Sequence, residues 1–182
     1  IVDEDVELGS GVRIAPWVSV GPGVSIGDGT TIGSHCVISG PTDIGPDNQI
    51  HPFCAVGSDP QDKKFVTDSS SRLVIGAGNI IREYCSINRG TLGGGGVTRI
   101  GDCNWIMAYC HIAHDCQIGN ETIFANNTTL AGHVVIDNFV TLGGFTGIHQ
   151  FCHLGEGSFS AISSIIKRDV PPFVIVKGNS AK

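Results

Sequence analysis

Along the chain, Val2, Leu8, Ile14, Val20, Ile26, Ile32, Ile38, Ile44, Ile50 and Val56 stand six residues apart without a break. The phase returns at Ile75, Ile81 and Ile87. It then runs from Ile100 through Ile106, Ile112, Ile118, Phe124, Leu130, Ile136, Leu142 and Ile148 to Leu154. A period of six matches neither the 3.6 of a helix nor a long simple alternation. It predicts a short strand followed by a corner, repeated. Four positions beyond the aliphatic residue come small or β-branched ones: Val12, Val18, Val24, Thr30, Cys36, Cys54, Cys85, Cys110, Cys116, Thr128, Val134 and Cys152. Two-residue pleating turns both positions the same way. Gly often follows the aliphatic residue, as at Gly27, Gly33 and Gly45, where its backbone freedom is expected to help the bend. Three hexads close a triangular coil, and coils stack at about 4.8 Å. The pattern therefore predicts an all-β, parallel β-helix built from hexapeptide repeats, with a column of aliphatic ladders as its core.

Two stretches interrupt the rhythm. Residues 57–74 read GSDPQDKKFVTDSSSRLV and residues 89–99 read RGTLGGGGVTR. Both are polar and rich in Gly or Ser, so they are expected to project as loops, the usual place for function on a rigid scaffold. Pro171 and Pro172 are expected to stop the helix, because proline cannot donate to a strand ladder. The predicted organisation is one β-helix domain over 1–170 and an exit segment over 171–182.

A chain of 182 residues suits one domain. The net charge of −6 argues against a general nucleic-acid surface. Arg13 is the only Lys or Arg before Lys63, after which Lys63, Lys64, Arg72, Arg82, Arg89 and Arg99 follow closely. That stretch suits an acidic partner, or simply a set of solvated loops. No apolar run approaches the roughly 20 residues of a membrane span. No signal segment is visible, and the opening at Ile1 leaves room for residues trimmed from that end. Seven cysteines, with no Cys-x-x-Cys pair, make disulfides and structural zinc poor readings. Six of them occupy the small inward position, as expected of a reduced cytosolic protein.

The candidate chemistry lies in the histidines. Residues 109–116 read YCHIAHDC. With Ile112 inward, His111 points outward, and His114 falls at a corner with Asp115 directly after it. His133 and His149 fall 19 and 35 residues beyond His114, near the same edge of successive coils. A His–carboxylate pair suits general-base catalysis. Surface histidines without a role, or metal ligands for a hydratase-type zinc site, fit the spacing too. No nucleophile elbow, phosphate loop or dinucleotide fingerprint is present.

Taken together, HIAHDC at 111–116, FANNTTLAGHV at 124–134, GIHQFCHLG at 147–155, QDKKF at 61–65 and DVPPFVIVKGN at 169–179 resemble the cytoplasmic UDP-N-acetylglucosamine O-acyltransferases that begin lipid A synthesis. The resemblance spans essentially the whole chain. It implies a left-handed β-helix, a homotrimer with active sites between subunits, and a C-terminal helical domain that would follow residue 182. The implied donor is a 3-hydroxyacyl chain on acyl carrier protein, a co-substrate rather than a cofactor. The implied acceptor is the 3-hydroxyl of UDP-N-acetylglucosamine, and no metal is called for.

By the same resemblance the catalytic set is His114 as general base, Asp115 orienting it, and the Gly132 N–H at the oxyanion. Asp62, Arg89, His111, His133, His149 and Gln150 match positions that bind the nucleotide sugar or hold the site. Family members that take long acyl chains tend to carry Gly where Ile162 stands, so the implied chain is nearer ten carbons than fourteen. The alternatives are the sister N-acyltransferase, which shares the repeat and a HIAH-like segment, and a zinc-dependent hydratase of the β-helix class.

Overall fold

The hexad pattern becomes short strands in the computed structural model, which describes residues 1–66 and 71–179. Most strands are two residues long, and they form three parallel sheets of eight, nine and eight strands. Sheet I opens with Glu7–Leu8, sheet II with Arg13–Ile14 and sheet III with Ser19–Val20, and the chain visits them in that order, coil after coil. The architecture is the left-handed parallel β-helix.

Register follows the ladder residues. Ile14 pairs with Ile32 and Ile32 with Ile50, eighteen residues per coil. Ile50 then pairs with Ile81, and Ile81 with Ile106, so one coil is lengthened by 13 residues and the next by 7. Both insertions leave the corner between sheets III and I, after which the eighteen-residue coil resumes at Phe124.

The projecting segments are shorter than the sequence pattern predicts. Ala55–Ser58 and Arg72–Ile75 are strands, so Gly57, Ser58 and Arg72 to Val74 belong to the sheets; residues 67–70 lie outside the described residues. Val97–Ile100 is likewise a strand, which confines the second loop to 89–96, with a 3-10 turn at Leu92–Gly94. The cause is pairing between the loop bases. The Arg72 N–H donates to the Gly96 carbonyl at 2.8 Å and the Gly90 N–H to that of Arg72 at 3.1 Å, extending sheet I into the loops.

The predicted stop at the prolines is also corrected. Ile175–Val176 pairs with Phe159–Ser160, so the coil continues beyond residue 170, at least to Val176. Pro171 and Pro172 fall at a corner, where no ladder donor is needed. Of the exit segment, 180–182 lie outside the described residues.

Ladder residues from Val20 to Leu154 are buried almost completely, whereas Val2 and Leu8, in the first coil, are 44% and 49% exposed. Six cysteines are buried and unbonded, and Cys103 is exposed. Burial pushes the Cys116 thiol up to about 12.

Bending is achieved differently from the sequence-based expectation. The left-handed residue of a corner lies three positions beyond the aliphatic one and is frequently bulky: Trp17, His35, Phe53, Tyr84, Tyr109, Asp115, His133 and Phe151 all have φ between 61° and 66°. The glycines just after the aliphatic residue permit close stacking instead. A Cβ on Gly27 or Gly45 would come within 2.6 Å of backbone in the next coil. At the corner between sheets II and III, the rings of His35, Phe53, Tyr84 and Tyr109 stack at 4.9 to 5.1 Å between centroids, with Trp17 beyond His35.

One feature of the core was not foreseen from the pattern. Asn48, Asn79 and Asn104 occupy small inward positions and are buried. The Asn79 amide donates to Asn48 Oδ1 and to the Gly101 carbonyl, and Asn79 Oδ1 accepts from the Asn104 backbone and side chain, each at 2.9 Å. Thr122 Oγ1 closes the chain on Asn104 Oδ1 at 2.7 Å. Replacing Asn79 by Ala leaves buried donors and acceptors unpaired. We expect a loss of about 2–3 kcal/mol in chemical denaturation; a loss below about 0.5 kcal/mol would show that the amide ladder contributes nothing.

Candidate active site

The corner between sheets III and I carries the titratable cluster. Strand His111–Ile112 ends sheet III on this coil, and Gln117–Ile118 begins sheet I. Between them Asp115 turns through the left-handed region at φ 63°, its N–H donating to the buried Thr98 Oγ1 at 2.8 Å. The preceding residue, His114, is thereby set at the rim with its side chain 11% exposed.

His114 Nδ1 lies 2.8 Å from Asp115 Oδ2. A carboxylate only accepts, so Nδ1 holds the proton and Nε2 keeps a free lone pair, the arrangement of a general base. The Asp115 side chain is fully buried, and it also accepts the Thr91 N–H at 2.8 Å and the Thr91 hydroxyl at 2.6 Å. Its charge is thus met by three donors. One coil above, the His133 ring stands edge-on to His114 at 5.1 Å and rests on Phe151 at 4.4 Å. Gly132 passes under the imidazole so closely that a Cβ there would lie 2.5 Å from His114 Cε1. Among the described residues, no acceptor meets the Gly132 N–H.

The first loop completes a pocket of about 510 Å³ over this corner. Asp62, Lys63 and Lys64 line it from the loop, and His114, Gly132, His133 and Gln150 from the coils. The structure therefore brings together six of the residues singled out in the sequence, Asp62, His114, Asp115, Gly132, His133 and Gln150. It leaves four apart. His149 is exposed at the start of its corner, with Nδ1 3.2 Å from the Gln150 carbonyl. His111 lies on the face of sheet III, its Nδ1 2.7 Å from Ser86 Oγ.

Arg89 is buried and does not line the pocket. Its guanidinium donates to the Gly40 carbonyl at 2.8 Å, pairs with Asp59 at 2.5 Å and lies over the Phe65 ring. It fastens both ends of the segment that carries Asp62, Lys63 and Lys64. Ile162 is 70% exposed at the corner between sheets II and III, a different edge of the prism from that of His114. Lys63 and Lys64 entered the sequence analysis only as part of the basic stretch, and Thr91 was not singled out, since nothing in the repeat phase marks a threonine inside a glycine-rich loop.

The nearest ligating atoms of His114, Asp115 and His133 lie within 4.8 Å of one another, so the donor types of a three-ligand metal site are present. The closest of them, Asp115 Oδ2, already accepts from both His114 and Thr91, so a cation would displace existing hydrogen bonds. This carboxylate accepts hydrogen bonds from its neighbours.

This corner defines a class. The family model of bacterial transferase hexapeptides (six repeats) matches residues 5–40 and 98–132, the second span ending on Gly132. Acyl-[acyl-carrier-protein]–UDP-N-acetylglucosamine O-acyltransferases of Halorhodospira halophila and Albidiferax ferrireducens are 55% and 51% identical over the whole chain, which covers 70% and 69% of their lengths. That of Verminephrobacter eiseniae is 54% identical over 143 residues, 79% of this chain and 54% of the relative. The chain thus spans from about half to seven tenths of the length of the curated relatives it matches. The solved UDP-N-acetylglucosamine acyltransferases of Francisella novicida and Campylobacter jejuni superpose on all of it with TM-scores of 0.97 and 0.95, at 39% and 43% identity; the chain covers 66% and 71% of those structures. The chain carries the hexapeptide repeat of bacterial transferases. It belongs to the acyl-[acyl-carrier-protein]–UDP-N-acetylglucosamine O-acyltransferase family.

Burial holds the His111 imidazole below its ordinary value of 6.5, with a hydrogen bond to the Ser86 backbone opposing. A group depressed in the fold favours its neutral form, so its contribution to stability is present above pH 6.5 and declines as the pH falls below it. In an NMR titration the His111 midpoint is expected to lie below that of a histidine in an unfolded peptide. A midpoint at or above the peptide value would contradict the packing against sheet III.

Proposed function

We propose that this chain transfers a 3-hydroxyacyl group from acyl carrier protein to the 3-hydroxyl of UDP-N-acetylglucosamine, the opening step of lipid A synthesis. The observation that carries the reading is the pairing of His114 Nδ1 with Asp115 at the mouth of the pocket roofed by Asp62, Lys63 and Lys64.

In this mechanism His114 Nε2 takes the proton of the sugar hydroxyl as that oxygen attacks the thioester carbonyl carbon. The new C–O bond leaves a tetrahedral oxyanion, which the Gly132 N–H stabilises. Collapse breaks the C–S bond, and the departing carrier thiolate receives the proton from His114. Asp115 keeps the imidazole oriented and its Nδ1 protonated throughout. Lys63 and Lys64 supply the positive charge appropriate to a diphosphate or to an acidic carrier protein.

The active assembly in this reading is a homotrimer. The position of Ile162 supports at least a second copy beside the groove. The dyad and Ile162 lie on different corners of one prism, so a groove that holds an acyl chain between them needs the flank of a second copy. There the branched side chain shortens the groove, each excluded methylene forfeiting about 0.8 kcal/mol of burial. A cytoplasmic location follows from the carrier protein and suits seven unbonded cysteines. No helix among the described residues is long and apolar enough to cross a membrane.

His114→Ala should lower turnover with acyl carrier protein and UDP-N-acetylglucosamine by at least about a thousandfold while leaving the melting temperature in place. Retention of turnover would reject the base. Stoichiometric metal by elemental analysis, with activity lost to a chelator, would instead favour hydration chemistry at the His114, Asp115 and His133 cluster. Transfer to a sugar amine but not to the hydroxyl would identify the N-acyltransferase. Ile162→Gly should move the donor preference from ten carbons toward fourteen; unchanged selectivity would rule Ile162 out as the ruler.

A further inference from the structure

Thr91 opens the 3-10 turn Leu92–Gly94 from its N-cap position, with extended backbone at φ −121° and ψ 152°. A threonine there ordinarily turns its hydroxyl back to accept an N–H of its own turn. This one makes no such cap. Its hydroxyl and its N–H both leave the turn and close on the two oxygens of Asp115, 24 residues further along the chain, at 2.6 and 2.8 Å. The turn is held in place by other means, since the Gly94 and Gly96 N–H groups donate to the Thr91 carbonyl at 3.0 and 2.8 Å. The hydroxyl is therefore free of local duty.

A second, independent feature points the same way. Gly94 is absent from the residues with positive φ, so its backbone does not require glycine. The space does. A Cβ at Gly94 would lie 2.1 Å from Asp115 Oδ2, the oxygen that also serves His114. The turn has given up a side chain in order to reach the carboxylate.

We propose that Thr91 is a positioning residue for the reaction, the third member of a relay that runs Thr91, Asp115, His114. It fixes the carboxylate plane by bonding both oxygens, so that Oδ2 is held in the orientation in which it meets His114 Nδ1. The second loop is, on this view, the mount of the general base rather than a substrate contact. The inference rests on the proposed acyl transfer for its kinetic consequence, but not for its geometric one.

The experiment compares Thr91→Val, Thr91→Ser and Gly94→Ala with the parent chain. Thr91→Val removes the hydroxyl at nearly constant volume, and Ser restores it. For Thr91→Val we expect kcat to fall about tenfold, the rate equivalent of one charge-assisted hydrogen bond, with KM for both substrates within about twofold. The low-field Nδ1 proton resonance of His114 should broaden or vanish in Thr91→Val and in Gly94→Ala, and persist in Thr91→Ser. That resonance is read without substrate, so its loss supports the relay even if the chain proves inactive as an acyltransferase. Survival of the resonance in Thr91→Val, or kcat unchanged in an active parent, overturns the proposal. Equal losses in Val and Ser, accompanied by a lowered melting temperature, also overturn it and assign Thr91 a merely structural role.

Discussion

The structure depends on the closure of each eighteen-residue coil onto the one beneath it. Two-residue strands are far too short to persist alone, and each coil exposes an apolar triangle that only a neighbour can cover. Parallel pairing at constant register places Ile on Ile and Cys on Cys, and backbone donors of one coil meet carbonyls of the next along the whole prism. Corners must then repeat with the same geometry, because a shift of one residue would turn the ladder out to solvent. That demand explains why bulky residues accept the left-handed region at so many corners, a conformation unfavourable to them in isolation.

The same demand places the chemistry. His114 is held by the corner residue after it, whose backbone is tied to Thr98 in the coil below and whose carboxylate is tied to Thr91 of the second loop. An imidazole so mounted has little freedom to lose when substrate arrives. The insertions leave from this corner and no other among the described residues, so a regular scaffold acquires one irregular edge. Arg89 anchors the first insertion through Gly40, Asp59 and Phe65. Its buried charge is costly unless paired, and the pairs it makes are with the loop.

Most of the architecture could be read from the period alone. Ile14, Ile32 and Ile50 reveal coil length, and Cys36 and Cys54 reveal the second inward position. The bends could not be read that way, because the signal at Gly27 and Gly45 concerns stacking distance, whereas the turning residue is a Trp, Phe or His with no compositional mark. Pro171 and Pro172 misled for a related reason: a corner tolerates what a strand refuses. The site was legible in part. His114, Asp115 and His133 share a corner because their spacings approximate whole coils, and Asp62 and Gln150 entered through resemblance. Thr91 escaped because its partner lies across an insertion whose length breaks the count.

Six thiols stacked inside the prism give the fold an internal record of its own opening. Cys36, Cys54, Cys85, Cys110, Cys116 and Cys152 are distributed along the axis, whereas Cys103 lies outside. A reagent that alkylates sulfur meets the outer one at once and the others only when the local rung lifts. If rungs come apart from an end inward, as nearest-neighbour cohesion dictates, the order in which these sulfurs become modified traces the unravelling of the column.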